Sequence, residues 1–137
     1  MHQGPKDAVF LYGALRSGTT LLRLMLDAHP QLSCPGEMDF LFDFLPPGAT
    51  ADTAYDRAAL EGSRIFRAHD VDFRDIPVPD PTPRRLLERI RSRGDVAIPV
   101  AHRGLERMLE IYPDMPILHL VRDPRDVARS SIGMGWA

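Results

Sequence analysis

Hydrophobic positions along the chain alternate between short unbroken runs and helical stripes. Residues 8–12 (Ala-Val-Phe-Leu-Tyr) form a continuous apolar run, the pattern of a strand covered on both faces. A polar, glycine-punctuated stretch follows, and residues 19–28 then carry Leu21, Leu22, Leu24, Met25 and Leu26. So little polar face remains that this segment predicts a mostly buried crossover helix. Arg23 and Asp27, four apart, mark its wetter side. Pro30 ends it, because the residue before proline leaves the α region.

Residues 31–38 read as a loop, and 38–45 as a short apolar-rich helix closed by Pro46-Pro47-Gly48. Residues 50–68 carry a rough helical stripe of Tyr55, Ala59, Leu60, Ile65 and Phe66. Residues 70–83 hold Pro77, Pro79, Pro81 and Pro83 among several aspartates, which predicts a loop. Thr82 and Pro83 form an N-cap followed by proline at the first helical position. The helix they open turns Leu86, Leu87 and Ile90 inward and Arg84, Arg85, Arg89, Arg91 and Arg93 outward, and Gly94 ends it. With no aromatic residues among them, these arginines read as a solvated face rather than a nucleic-acid surface.

Residues 96–100 predict a second strand. Residues 102–112 predict a helix with Leu105, Met108, Leu109 and Tyr112 inward. Residues 116–121 predict a third strand, and Pro124 opens the last helix. Strand, helix, strand, helix with short links predicts an α/β, three-layer P-loop-type fold with a parallel sheet flanked by helices. The 137 residues are of single-domain size. Ligands of such sheets bind beyond the carboxyl ends of the strands. Residues 13–20 and 122–130 both follow strand ends, so they can share one cleft.

Gly13 and Gly18 bracket a loop with the spacing of a phosphate cradle, and Thr19 and Thr20 open the helix after it. The first amides of a helix lack intrahelical partners and carry the positive end of its dipole, so an anion fits there. Nucleoside triphosphatases place Lys after the second glycine to reach the outer phosphates. Thr19 stands at that position here, and the cation lies inside the loop as Arg16. An ordinary strand-to-helix turn with Ser and Thr caps is the plain alternative. Glu37 follows Cys34-Pro35-Gly36 at a predicted helix start, where a carboxylate is favoured as a cap.

Arg16-Ser17-Gly18-Thr19-Thr20-Leu21-Leu22 resembles the 5′-phosphosulfate loop of sulfotransferases that use 3′-phosphoadenosine 5′-phosphosulfate. Leu118-His119-Leu120-Val121-Arg122-Asp123-Pro124-Arg125-Asp126-Val127-Ala128-Arg129-Ser130 resembles the 3′-phosphate segment of the same family. Two motifs in the right order are more specific than either alone, although a charged helix N-terminus would also explain the second. The resemblance covers nearly the whole chain in outline and is nearest to the bacterial and Golgi-type branches. It implies that residues 1–137 form one domain, the N-terminal part of the usual family domain.

The resemblance also implies roles. The donor's 5′-phosphosulfate would sit on Ser17, Gly18, Thr19 and Thr20 with Arg16, and its 3′-phosphate on Arg122 and Ser130. Glu37 matches the family's general base, which would deprotonate a hydroxyl or amine acceptor. Proline-rich residues 70–83 would shape acceptor recognition. Two features depart from the family. Relatives carry a lysine beside a proline before the helix that here begins at His102, whereas this chain reads Val96-Ala97-Ile98-Pro99, with Arg103 the nearest cation to substitute. Relatives also continue well beyond the second motif. A non-catalytic module holding a 3′-phosphorylated adenosine nucleotide is therefore the alternative to a sulfotransferase, and a small-molecule kinase is disfavoured by Thr19.

Composition narrows this further. Apolar residues make up 44% and charged residues 26%, ordinary for a globular chain. A net charge of −2 gives no general pull toward nucleic acid or anionic membrane. Lys6 is the only lysine, and the remaining cations are arginines, which suit bidentate phosphate and sulfate binding. No His, Cys and carboxylate set has metal-ligand spacing, so no metal is expected. His2, His29, His69, His102 and His119 read as surface or packed residues. Cys34, the only cysteine, and a start without a long apolar stretch point to a cytoplasmic protein without a membrane span. An exposed Trp136 would suit self-association.

Overall fold

A computed structural model describes residues 8–69, 81–91 and 95–136. Its centre is β1 (Phe10–Tyr12), which runs parallel to β4 (Val100–Ala101) on one side and β5 (Ile117–His119) on the other. The strand order β4-β1-β5 means each partner is reached by a crossover, and parallel strands need such connections. Successive strand residues point to opposite faces, so Phe10 and Leu11 enter different cores. Phe10 packs with Phe42, ring centroids 5.3 Å apart, in a large cluster with Leu60, Leu86 and Ile90. Leu11 packs with Cys34, Ile98 and Val100 on the other side. Helices thus flank a parallel sheet, as the alternation of patterns predicts.

The loop leads into α1 (Thr19–Asp27). The expectation that α1 is mostly buried does not hold, since Leu21 and Met25 are 66% and 65% exposed. The helix rests on the sheet through Leu22 and Leu26, and no layer of the described residues covers its other face. Its polar pair, with Asp27 exposed and Arg23 half-buried, also reaches back to the chain. Asp27 accepts from the Cys34 N–H at 2.7 Å, and Arg23 donates to the Cys34 carbonyl at 3.2 Å. The pair satisfies backbone groups just past β2 (Leu32–Ser33), a short strand inside the expected loop.

Residues 96–101 make two short strands where one was expected, β3 (Val96–Ala97) and β4. The reason lies in the neighbouring segment. The N–H groups of Val96, Ile98 and Val100 donate to the carbonyls of Gln31, Ser33 and Gly36. The acceptors step by two residues and then by three, so an extra residue is accommodated around Pro35 and Gly36. Gly36, at φ 121, takes a conformation that side chains disfavour. This bulge precedes Glu37, which bridges to Val100.

The expected helix over 38–45 is a four-residue 3-10 turn, Asp39–Phe42. Residues 50–68 contain two short helices, α2 (Arg57–Gly62) and α3 (Arg64–Arg67), capped by Asp56 and Ser63. Each cap ends the preceding path, which explains why a single stripe is not one helix. Helix α4 (Pro83–Arg91) opens as expected, with the Thr82 hydroxyl accepting from the Arg85 N–H and Leu86, Leu87 and Ile90 buried. Helix α5 (Leu105–Ile111) and α6 (Pro124–Gly133) complete the chain order. Residues 70–80 of the expected acceptor loop (70–83), Arg93 and the Gly94 stop lie outside the described residues. Among the described residues, no helix is long and apolar enough to cross a membrane.

Candidate functional site

The loop between β1 and α1 is shaped by two backbone constraints. At Gly13, an added Cβ would lie 2.9 Å from the Leu120 carbonyl and 3.1 Å from Thr19 Cγ2, so only glycine lets the end of β5 pass. Arg16 has φ 68, left-handed and unusual for a side chain of its size. Such residues cost of order 1 kcal/mol and persist where their surroundings over-determine them. Arg16 has three such contacts. Its Nε donates to Ser130 Oγ at 2.8 Å, its carbonyl accepts from Arg122 Nη1 at 3.0 Å, and its guanidinium carbon lies 5.7 Å from the Trp136 ring centroid.

Arg122 and Ser130 therefore converge on Arg16 from the end of β5 and from within α6. Their eight-residue separation is bridged by a third residue rather than by direct contact. Ser17 and Thr19 are buried, while Thr20 is exposed, and α1 begins at Gly18 without a side-chain cap. The first amides of a nine-residue helix are thus left to a ligand or solvent. Asp123 accepts from the Arg125 N–H at 2.9 Å and pairs with its guanidinium at 2.6 Å, capping α6. Arg125 holds that carboxyl below its ordinary range.

On the other side of the loop lies a cleft of about 390 Å³. Thr19, Thr20 and Arg23 of α1 form one wall, Gly36, Glu37 and His102 another, and Arg64 and His69 a third. Arg16, Arg122 and Ser130 do not line it. The loop is thus flanked by two clusters, an arginine–serine cluster and a cleft holding the carboxylate.

Glu37 Oε1 lies 3.2 Å from His102 Nε2, with the carboxylate side chain 52% exposed and the imidazole 6% exposed. The other ring nitrogen, Nδ1, is 2.8 Å from the Gly13 carbonyl. Buried Asp39 accepts from the backbone N–H groups of His102 and Arg103 at 2.8 and 3.2 Å, fixing the turn that presents the ring. Arg103, expected as a substitute for the missing lysine, is forked onto Asp43 at 3.0 and 2.7 Å and does not line the cleft. Asp43 raises the Arg103 guanidinium further above its ordinary range, chiefly by these hydrogen bonds.

The pairing of Glu37 with His102 is not legible in the sequence, where all five histidines read as surface or packed residues. The available signal was position, because His102 directly follows a strand and the carboxyl ends of parallel strands are where ligands bind. Among the described residues, no group of three or more His, Cys, Asp or Glu side chains could hold a metal ion.

The family model described as the sulfotransferase family matches residues 8–136. Protein-tyrosine sulfotransferase 1 of Homo sapiens and of Mus musculus are each 32% identical over 131 residues, covering 90% of this chain and 33% of theirs. Protein-tyrosine sulfotransferase 2 of Gallus gallus is 30% identical over 131 residues, with the same coverage. The chain spans about a third of the length of these curated relatives. No solved structure matches the chain at the same stringency. These relatives correct the cytoplasmic expectation, because protein-tyrosine sulfotransferases are Golgi-type enzymes. A single cysteine and the residues at one end of a chain carry no address, since neither excludes a secretory compartment.

Proposed function

The chain belongs to the sulfotransferase family, and from that premise we propose that it moves a sulfuryl group from 3′-phosphoadenosine 5′-phosphosulfate to a hydroxyl acceptor, with Glu37 as the base. The names of the relatives make a tyrosine hydroxyl the first acceptor to test. Residues 1–137 would then be the N-terminal part of a sulfotransferase domain. The observation that carries the proposal is the presence of Glu37 in one cleft with Thr19 and Thr20 at the start of α1.

In this reading, the amides of Gly18, Thr19 and Thr20 receive the 5′-phosphosulfate, with the Ser17 hydroxyl beside them, because the Ser17 N–H is held by the Ala14 carbonyl at 3.2 Å. Arg16, Arg122 and Ser130, already joined by hydrogen bonds, carry the phosphate charge of the donor, with the 3′-phosphate on Arg122 and Ser130. The acceptor hydroxyl gives its proton to the Glu37 carboxylate while its oxygen bonds to sulfur. The bond from sulfur to the bridging oxygen breaks, and its electron pair leaves on the 5′-phosphate of 3′-phosphoadenosine 5′-phosphate. Preorganised loop amides stabilise that developing charge without reorganising, the effect that is often largest in such sites.

The test combines titration calorimetry with turnover on a tyrosine peptide. Wild type binds 3′-phosphoadenosine 5′-phosphate more tightly than the nucleotide lacking the 3′-phosphate, and transfers labelled sulfate from the donor. Glu37→Gln keeps nucleotide affinity and loses turnover by roughly 100-fold or more, the range for a general base. Nucleotide binding without turnover in wild type would favour a non-catalytic nucleotide-binding module. Tighter binding of ATP with magnesium would overturn the donor assignment.

A further inference from the structure

The two ring contacts of His102 together constrain where the proton beside Glu37 lies. The Gly13 carbonyl can only accept a hydrogen bond, so His102 Nδ1, 2.8 Å away, carries a proton. In a neutral imidazole, that leaves a bare lone pair on Nε2. A carboxylate 3.2 Å away also offers only lone pairs. The contact is therefore satisfied when one proton lies between Nε2 and Oε1, either as imidazolium with carboxylate or as imidazole with carboxylic acid. Whenever Glu37 is ionised and in this contact, His102 is the imidazolium.

We propose that Glu37 and His102 form a one-proton couple and that His102 is a positioning residue for the base. The proposal rests on the reading of Glu37 as the base. With Nδ1 held by the loop carbonyl and the backbone N–H held by Asp39, the ring is anchored at two points and presents Nε2 in a fixed direction. Its charged form orients Oε1, leaving Oε2 for the acceptor proton. It also places a positive charge beside the cleft at a site where Arg103 is turned away toward Asp43.

Other charged and titratable groups around the couple are accounted for. Arg23 from α1 and Arg64 and His69 from the third wall line the same cleft, and Asp39 faces the backbone of His102. Arg23 is engaged with the Cys34 carbonyl. Glu37 is the carboxylate in direct contact with the imidazole, so its removal is the perturbation that isolates the couple.

Two measurements decide the proposal. The first follows the His102 ring by proton NMR across pH in wild type and in Glu37→Gln, without substrate. At any one pH in that series, wild type shows a ring N–H signal at Nε2 as well as at Nδ1, whereas the Glu37→Gln amide can donate to a bare Nε2 and the Nε2 signal is lost. An unchanged Nε2 signal overturns the couple. The second compares turnover and nucleotide affinity in His102→Gln, Glu37→Gln and the double variant. His102→Gln lowers kcat by about 10- to 100-fold, holds nucleotide affinity within about twofold, and alters the acid limb of the pH–rate profile. The double variant is scarcely worse than Glu37→Gln, since residues acting as a unit are not additive. Equal losses in kcat and nucleotide affinity, or fully additive losses, overturn a positioning role. If wild type shows no turnover, the base reading fails, and the Nε2 signal alone decides whether the couple exists.

Discussion

Arg16 Nε donates to Ser130 Oγ at 2.8 Å across 114 residues of chain, joining the first loop to the last helix. Arg122 Nη1 reaches the carbonyl of the same arginine. If this cluster receives the 3′-phosphate, Arg122→Ala and Ser130→Ala each weaken 3′-phosphoadenosine 5′-phosphate by about tenfold, close to 1.4 kcal/mol. The nucleotide lacking the 3′-phosphate changes by less than about twofold. Parallel calorimetric titrations read both numbers, and equal losses for the two nucleotides would sink the assignment.

Gly13→Ala tests the close approach of β5 to the loop. The new Cβ meets a backbone carbonyl at 2.9 Å, and Leu120 is held there by its own N–H to Tyr12 O at 2.8 Å. Neither side can move cheaply. Overpacking of this kind costs about 1–3 kcal/mol. The urea midpoint of Gly13→Ala falls accordingly, and a midpoint equal to wild type would show that the strand end yields.

Leu86 and Leu21 make a contrasting pair. Leu86 is fully buried in the main cluster, whereas Leu21 is 66% exposed on α1. Leu86→Ala loses about 2–5 kcal/mol, the range for large-to-small core changes. Leu21→Gln stays within about 0.5 kcal/mol, as exposed substitutions do. Denaturant unfolding of both variants measures the difference. A large loss in Leu21→Gln would mean that the outer face of α1 is covered in solution.

Cys34 is buried, and its thiol donates to the Ile98 carbonyl at 3.1 Å. Burial pushes the thiol up from 9.0 to about 12, partly offset by Arg23 and reinforced by Asp27. A folded value above the unfolded one means the unfolded chain loses its proton first. The contribution of Cys34 to stability is therefore complete below about pH 9 and declines as pH rises toward 12. In the native state at neutral pH, alkylation by a thiol reagent is slower than in the unfolded chain by about 100-fold or more, because the thiolate is the nucleophile. Equal rates in the two states would contradict the burial.

Much of the architecture was legible in local pattern. The run at 8–12 is short and apolar because β1 is covered on both faces, and that requirement is visible without a partner. Thr82 before Pro83 and Asp123 before Pro124 announce helix starts, because caps and proline act within one turn of chain. Both starts stand where those residues place them. The loop with Arg16 and the later Arg122 segment was legible for the same reason, since each is a contiguous stretch whose residue types suit an anion.

What pattern could not supply depends on contacts between distant segments. Arg16 does not announce in sequence that it will join Arg122 to Ser130, because that meeting follows from β5 pairing beside β1. The outer face of α1 looked buried because apolar content says how much surface a helix could hide, not what stands against it. The extra residue near Gly36, which splits β3 from β4 ahead of Glu37, is a register effect between two segments some 64 residues apart. The tertiary structure alone decided that Glu37 and His102 meet, because their 3.2 Å contact requires β4 to end beside both that bulge and the Gly13 carbonyl. Local sequence determined which residues could carry the chemistry, through propensities and caps acting over a few residues. Strand register, acting over the whole sheet, brought Glu37 to His102, a residue that local pattern leaves among the surface or packed ones.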